Sequence, residues 1–356
     1  MKEKAYHKFS FDFHKKNWHK GRPNFCQFEL TFRCGLRCQH CYTDCYNTRA
    51  CIDKELATPD IISIIDKVHA ARIQWLCFTG GDPVARDDFL DIYTYAKKKG
   101  FILIIFTSGY SITKEIVAQM KTRPPLVIEI TLNSVTEGSF ETIARTKGSF
   151  AKVMNGIDLI LKAKLPLRLK VQLNQLNLKE VPKIKDFIER LGLPFRPDPV
   201  LNARLNHDTA PCKLRITPRD FLKITREFKM GPDFDGMSCA ANTGAAESKL
   251  FYCAAAGGDG IYLDPYGTMV PCIFVRNPKI NLCETTLEAA QREIVAWVRA
   301  KDFSRDTKCK ACSLRPICLA CPGRALLETK DIEAPIPYFC TIAHRCAESI
   351  KDESKN

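Results

Sequence analysis

The stretch Phe25-Cys-Gln-Phe-Glu-Leu-Thr31-Phe-Arg-Cys34-Gly-Leu-Arg-Cys38-Gln-His-Cys41-Tyr42 decides how the rest of this 356-residue chain is read. Cys26–Thr31 is a short β-rich run, and a loop with three cysteines follows at once. Working outward, β-rich runs recur at Ile73–Thr79, Phe101–Thr107, Leu126–Leu132, Leu167–Asn174 and Leu193–Val200. Helix-like segments lie between them. In Pro59–Ala71, Ile61, Ile62, Ile65 and Val68 recur at near-helical spacing, with Thr58 as N-cap and Pro59 opening the helix. Asp87–Lys99 and Lys179–Leu191 read similarly, the latter closing at Gly192. Six strands alternating with helices predict an α/β fold with parallel pairing and right-handed crossovers. An open doubly wound sheet and an incomplete (β/α) barrel both fit, and both put chemistry at the carboxyl ends of the strands. The polar or glycine-rich segments Cys34–Cys41, Gly80–Pro83, Thr107–Gly109, Asn133–Ser134 and Asn174 fall at those ends.

Eighteen cysteines stand out in the composition. The basic, aromatic N-terminus lacks an apolar stretch with a small-residue cleavage site, so a cytoplasmic location is expected. There, clustered thiols point to metal rather than to disulfides. No apolar run is long enough to span a bilayer, so no membrane association is expected. The net charge of +14 would suit an acidic partner. The cations are scattered, however, with Lys97–Lys99 the longest run, which reads as solvated helix faces and disfavours nucleic acid.

Past Val200 the pattern changes. Residues 201–235 contain Pro211, Pro218 and Pro232 and read as a bridging segment with a helix near Pro218–Phe228. From Gly236 onward the cysteines crowd, and helical periodicity is confined to Thr286–Arg299. The predicted organisation is a basic N-terminal extension (1–24), a core (25–200), the bridge (201–235) and a second domain (236–356). That domain is expected to be organised by thiols rather than by a large apolar core.

The first loop has the spacing Cys-x3-Cys-x2-Cys. Three thiolates can bind three irons of a 4Fe–4S cube, which usually has four cysteine ligands, so one iron stays open. An open iron can chelate an amino nitrogen and a carboxylate oxygen, the groups on the methionine end of S-adenosylmethionine (SAM). A zinc knuckle is the plainer alternative, but zinc loops favour paired Cys-x2-Cys units. Cys45 and Cys51 fall outside the spacing and read as ordinary thiols, as do Cys26, Cys77, Cys212 and Cys283. The seven histidines form no ligand spacing.

With Tyr42 directly after its last cysteine, the loop resembles the signature of the radical SAM superfamily. Gly80-Gly81-Asp82-Pro83 resembles that family's Gly-Gly-Glu-Pro motif, which holds the SAM amino group largely through backbone carbonyls; Asp82 stands where Glu is commoner. Ser108 closes the third strand at a position resembling one that contacts SAM, although a helix-capping turn is the bland reading. Ile130–Ser134, followed by Arg145 and Gly148-Ser149-Phe150, resembles a block whose polar residues lie near the ribose and carboxylate of SAM. The resemblance assigns Thr131, Asn133 and Arg145 to that role, with Asn133 replacing Asp.

The C-terminal pattern Cys253-x13-Gly267-x4-Cys272, then Cys309-x2-Cys312-x5-Cys318-x2-Cys321 and Cys340, resembles the seven-cysteine SPASM domain of radical SAM enzymes. Ile261–Cys272 reads as a hairpin turning at Asp-Pro-Tyr-Gly, as in that domain. The resemblance implies two auxiliary 4Fe–4S clusters, one on Cys309, Cys312, Cys318 and Cys340, the other on Cys253, Cys272 and Cys321. An extra cysteine of some relatives is missing near Asp259. The second cluster therefore has an open iron or recruits Cys239, Asp259 or the substrate. Two structural zinc sites are the alternative, but five residues between the Cys-x2-Cys pairs is short for a zinc ribbon.

Together the resemblances imply a partial (β/α)6 TIM-like barrel with a C-terminal α+β SPASM domain. They imply reductive cleavage of SAM to a 5′-deoxyadenosyl radical, hydrogen abstraction from a peptide substrate and a flavodoxin- or ferredoxin-type electron donor. The first strand starts at about Phe25, so leader binding is expected to need a separate leader-peptide-binding protein or the basic surface. The same chemistry on a folded protein, as in sulfatase maturation, or on a small molecule is the first alternative. A non-catalytic iron–sulfur or zinc protein binding nucleic acid is the second.

Overall fold

The computed structural model describes residues 6–17, 22–43, 47–228, 248–253 and 258–353. Each run read as β-rich up to Val200 contains a strand: β1 (Phe25–Thr31), β2 (Trp75–Gly80), β3 (Ile102–Thr107), β4 (Val127–Thr131), β5 (Leu167–Gln172) and β6 (Arg196–Asp198). Each pairs in parallel with the next, so the order is sequential. Right-handed crossovers in a sequential order carry every helix to one face, whereas a doubly wound sheet reverses midway. The architecture is therefore the incomplete (β/α)6 barrel, and the doubly wound alternative falls.

The helices are α1 (Tyr6–Asn17), α2 (Arg49–Ile52), α3 (Thr58–Ala70), α4 (Phe89–Lys98), α5 (Lys114–Thr122), α6 (Glu137–Ala144), α7 (Ser149–Lys162) and α8 (Val181–Arg190). Two boundaries are corrected. Ala57, not Thr58, holds the N-cap position of α3, and the Thr58 hydroxyl instead donates to Asp88 Oδ2 at 2.6 Å. Leu178–Glu180 is a 3₁₀ turn, so the helix expected from Lys179 starts at Val181. Within the 1–24 extension, α1 packs Phe9 and Phe13 on the Trp75 ring, whose Nε1 donates to Tyr6 Oη at 2.7 Å.

Strand alternation separates the two faces of the sheet. Leu103, Ile105, Ile128, Ile130, Leu169 and Val171 are fully buried in the core. Over β4–β6 the opposite face is polar: Glu129 pairs with Arg168 across the register, Thr131 with Lys170, and Gln172 with Asp198.

The cysteine-rich region continues this sheet. β7 (Gly260–Leu263) pairs in parallel with β1, and β8 (Thr268–Val270) and β9 (Ile280–Asn281) follow in antiparallel order. The predicted hairpin turn is present. Asp264 Oδ1 accepts from the Tyr266 and Thr268 amides at 3.0 Å, and Gly267 takes φ +77°. The remaining helices are α9 (Pro218–Glu227), α10 (Leu287–Arg299), α11 (Pro322–Thr329) and α12 (Pro337–Glu353), with α9 packed on α12. Leu263, Met269, Leu287, Ile294 and Phe339 join the same buried cluster as the barrel strands. The expectation of a region held by thiols without much apolar core is corrected accordingly. Among the described residues no helix is long and apolar enough to cross a membrane.

Candidate active site

The loop after β1 lies at the carboxyl end of the sheet and is tied down on several sides. The Arg37 and Gln39 amides donate to the Ala144 and Ile143 carbonyls at 2.9 Å, fastening it to the end of α6. Asn47 brackets Cys34, donating to its carbonyl at 2.9 Å and accepting its amide at 3.2 Å. Cys34 is pushed well up by burial and then by Asp82, Cys38 and Cys41 beside it, and Cys41 likewise raises Cys38. Burial is the larger cause, and it pushes Cys38 up to about 12.

Gly80 and Gly81 are built against this loop. The Gly81 amide donates to the Thr31 carbonyl and the Asp82 amide to the Arg33 carbonyl, both at 2.8 Å. A Cβ on Gly81 would stand 2.5 Å from the Phe32 and Arg33 carbonyl oxygens, so only glycine allows the approach. Asp82 is fully buried and its carboxylate faces the next strand end. Oδ1 accepts from Thr107 Oγ1 at 2.7 Å and the Val84 amide at 3.1 Å, and Oδ2 from the Ser108 hydroxyl and amide. Burial raises its pKa and those donors oppose the rise. Asp82, Thr107 and Ser108 thus form one knot beside the cysteine loop, with Pro83 buried directly after Asp82.

Asn133 is buried at the end of β4, its Oδ1 without a hydrogen-bond partner and its carbonyl accepting from Asn177 Nδ2 at 2.9 Å. Thr131 ends the same strand opposite Lys170. Arg145 caps α6 in the left-handed region (φ +50°) and is exposed; its guanidinium reaches Gln39 Oε1 at 3.3 Å, a contact with the loop rather than with Asn133. His40 was assigned nothing from sequence. Its buried Nδ1 has no partner among the described residues, and burial, aided by Lys170, lowers its pKa to about 4. Nearby, Lys170 pairs with Asp198 at 2.7 Å, while Glu129 faces Arg168 at 3.4 Å and Arg196 at 3.9 Å.

Tyr42 connects the loop to the C-terminal region. Its ring meets Phe274 edge-on at 5.8 Å and its hydroxyl donates to Glu29 Oε1 at 3.3 Å. Glu29 is buried and held in two places by Arg276, at 2.7 and 3.1 Å. Neither residue carried a sequence signal, since 247 positions separate them. Arg276→Ala strands a buried carboxylate and is expected to cost about 3–5 kcal/mol, read as a fall in the denaturation midpoint. Adding Glu29→Gln should recover part of that loss.

The C-terminal thiols fall into two neighbourhoods. Cys318 is pushed up to about 11 by burial and by Cys340, Cys309 and Cys312 beside it. Cys272 is pushed up to about 11 by burial and by Cys321. Burial and then Cys321, Cys318 and Cys253 all raise the half-buried Tyr252 hydroxyl, which lies between the two neighbourhoods. A Cβ on Gly323 would meet Phe274 Cβ at 2.8 Å, so this glycine lets α11 close over Cys272. Cys45 and Cys239 lie outside the described residues. Cys51, read as an ordinary thiol, is disulfide-bonded, a correction that loop spacing could not supply. Cys26, Cys77, Cys212 and Cys283 are free thiols, as expected.

A parallel α/β barrel fragment with a three-thiol loop and a glycine-rich turn at its carboxyl face defines a scaffold for cluster-dependent chemistry. Residues 28–188 match the Radical SAM superfamily, and the chain carries a radical SAM domain, a family that implies SAM and a 4Fe–4S cluster. The chain is 24% identical over 344 residues to an AdoMet-dependent heme synthase of Methanosarcina barkeri (strain Fusaro / DSM 804), covering 89% of this chain and 96% of that one. A PqqA peptide cyclase of Granulibacter bethesdensis is 26% identical over 164 residues, 46% of this chain and 43% of that one. In fold the chain resembles Streptococcus suis SuiB bound to precursor peptide SuiA. The TM-score is 0.67 at 15% identity, over 94% of this chain and 80% of that one.

Proposed function

We propose that the protein cleaves SAM reductively and uses the 5′-deoxyadenosyl radical to take hydrogen from a ribosomally made peptide, acting as a maturase in the cytoplasm. When bound, a 4Fe–4S cluster on Cys34, Cys38 and Cys41 supplies the electron for that cleavage. The observation that carries the reading is the close packing of Gly80 and Gly81 on the cysteine loop, which joins the thiols to the motif assigned to SAM. Backbone carbonyls of Gly80–Pro83 receive the SAM amino group, and Asp82 and Ser108 keep that turn in position. Thr131, Asn133 and Arg145 are further SAM contacts; the unpartnered Asn133 Oδ1 suits a hydroxyl donor. Tyr42 steadies the loop through Glu29.

In this reading residues 25–200 form the radical SAM core and 236–356 the SPASM domain, joined by 201–235. Two auxiliary 4Fe–4S clusters sit on Cys309, Cys312, Cys318 and Cys340 and on Cys253, Cys272 and Cys321. Cys309, Cys312, Cys318 and Cys340 neighbour one another, and Cys272 neighbours Cys321, which supports these two sets. Among the described residues no three His, Cys, Asp or Glu side chains are gathered closely enough to hold a single metal ion. A flavodoxin- or ferredoxin-type protein is the electron donor, and a separate protein presents the leader peptide.

The resemblance to SuiB and PqqA peptide cyclase supports the peptide. A second reading, an iron porphyrin, draws on the heme synthase that matches nearly the whole chain. The cations Arg168, Lys170 and Arg196 on the polar sheet face would suit its carboxylates. Anaerobic reconstitution followed by reduction tests both. About twelve irons per chain and release of 5′-deoxyadenosine are expected. A short peptide encoded beside the gene should be consumed and an iron porphyrin left untouched; the reverse would install the porphyrin reading, and absence of 5′-deoxyadenosine would end both.

A further inference from the structure

We infer that the groove between α9 and α12 is where an acidic one-electron donor of the flavodoxin type docks. The inference rests on the proposed function and gives its donor a site. The groove is open, about 990 Å³, and is lined by Arg219, Lys223 and Arg226 of α9 and by Arg345 of α12. All four cations are exposed, and among the described lining residues the acidic ones are Asp220 and Glu348. The chain's charge of +14 adds a long-range field of the same sign.

Position distinguishes this groove from other basic surface. Cys340, in the first turn of α12, lines it directly. Cys340 neighbours Cys309, Cys312 and Cys318, and Lys308 stands beside it. The cations therefore surround the point where one of the thiol sets reaches the surface. Electron-transfer partners meet through small, wet interfaces in which charge orients the encounter. One electron would leave the donor's flavin hydroquinone, which becomes the semiquinone, and enter the iron held at Cys340 and its neighbours.

The test compares the anaerobic holoenzyme with an Arg219→Glu/Lys223→Glu variant, which turns the groove from net positive to net negative. Flavodoxin binding is followed by interferometry at low and high salt, and visible bleaching is timed with flavodoxin hydroquinone and with dithionite. At low salt, affinity and flavodoxin-driven bleaching should each fall about tenfold or more, with the gap closing at high salt. Dithionite bleaching should not change. Lys114→Glu/Lys121→Glu, an equal charge change at exposed sites on α5, should behave as wild type. Wild-type binding by the groove variant, an equal loss in the α5 control, or wild-type protein that binds RNA but no flavodoxin would overturn the docking site. Failure of dithionite-reduced wild type to form 5′-deoxyadenosine would instead overturn the proposed function itself.

Discussion

Cys38→Ala is expected to bring 5′-deoxyadenosine formation down to background while the fold survives. Cys38 lies in a loop held by the α6 carbonyls and by Asn47, and those bonds run largely through backbone that alanine keeps. Removing a thiol from such a site costs about 1 kcal/mol in packing. Its chemical effect is far larger, because two remaining thiols cannot hold three irons of a cube. Cys26→Ala is the matched control: Cys26 is fully buried on β1, a few residues upstream, and unrelated to the loop. It should lose comparable stability and keep its activity. The measurement is product formed per chain alongside iron content and circular dichroism. Full activity in Cys38→Ala would remove the radical SAM reading of this loop.

Gly80→Ala is the second large effect, and it acts through backbone rather than through a ligand. Gly80 takes φ +126°, and an added Cβ would stand 2.1 Å from the Thr31 carbonyl oxygen. Gly100 also has positive φ (+90°), but nothing lies within 4 Å of its virtual Cβ. Both alanine variants therefore carry backbone strain of about 1–3 kcal/mol. Gly80→Ala alone must also push apart the ends of β1 and β2, adding about 1–3 kcal/mol. That shift moves the cysteine loop, so SAM affinity should fall with stability, whereas Gly100→Ala should leave SAM binding intact. Equilibrium dialysis with labelled SAM and denaturant melts separate the two contributions. Equal behaviour of the variants would mean that the Gly80 contact with Thr31 does not matter.

The strands up to Val200, three of the helices between them and the thiol spacing could be read in the chain itself. Periodicities of two and 3.6 residues, and cysteines a few positions apart, are local facts that survive without tertiary structure. The three-thiol loop and the Asp-Pro-Tyr-Gly turn belong to the same class. The Tyr6, Phe9 and Phe13 spacing of α1 was equally local, but it needed Trp75 to give it a face.

What only the folded chain decided are contacts between distant segments. β7 pairs with β1 because the sheet edge was open there, which makes the cysteine-rich region part of one core. Asp82 meets Thr107 and Ser108, and Arg276 meets Glu29, only after strand order and register are set. Whether a side chain faces helices or the polar side depends on a register in which one residue of slip reverses every position. Spacing along the chain carries no information about that choice, which is made by burying one apolar face and leaving the charged one open.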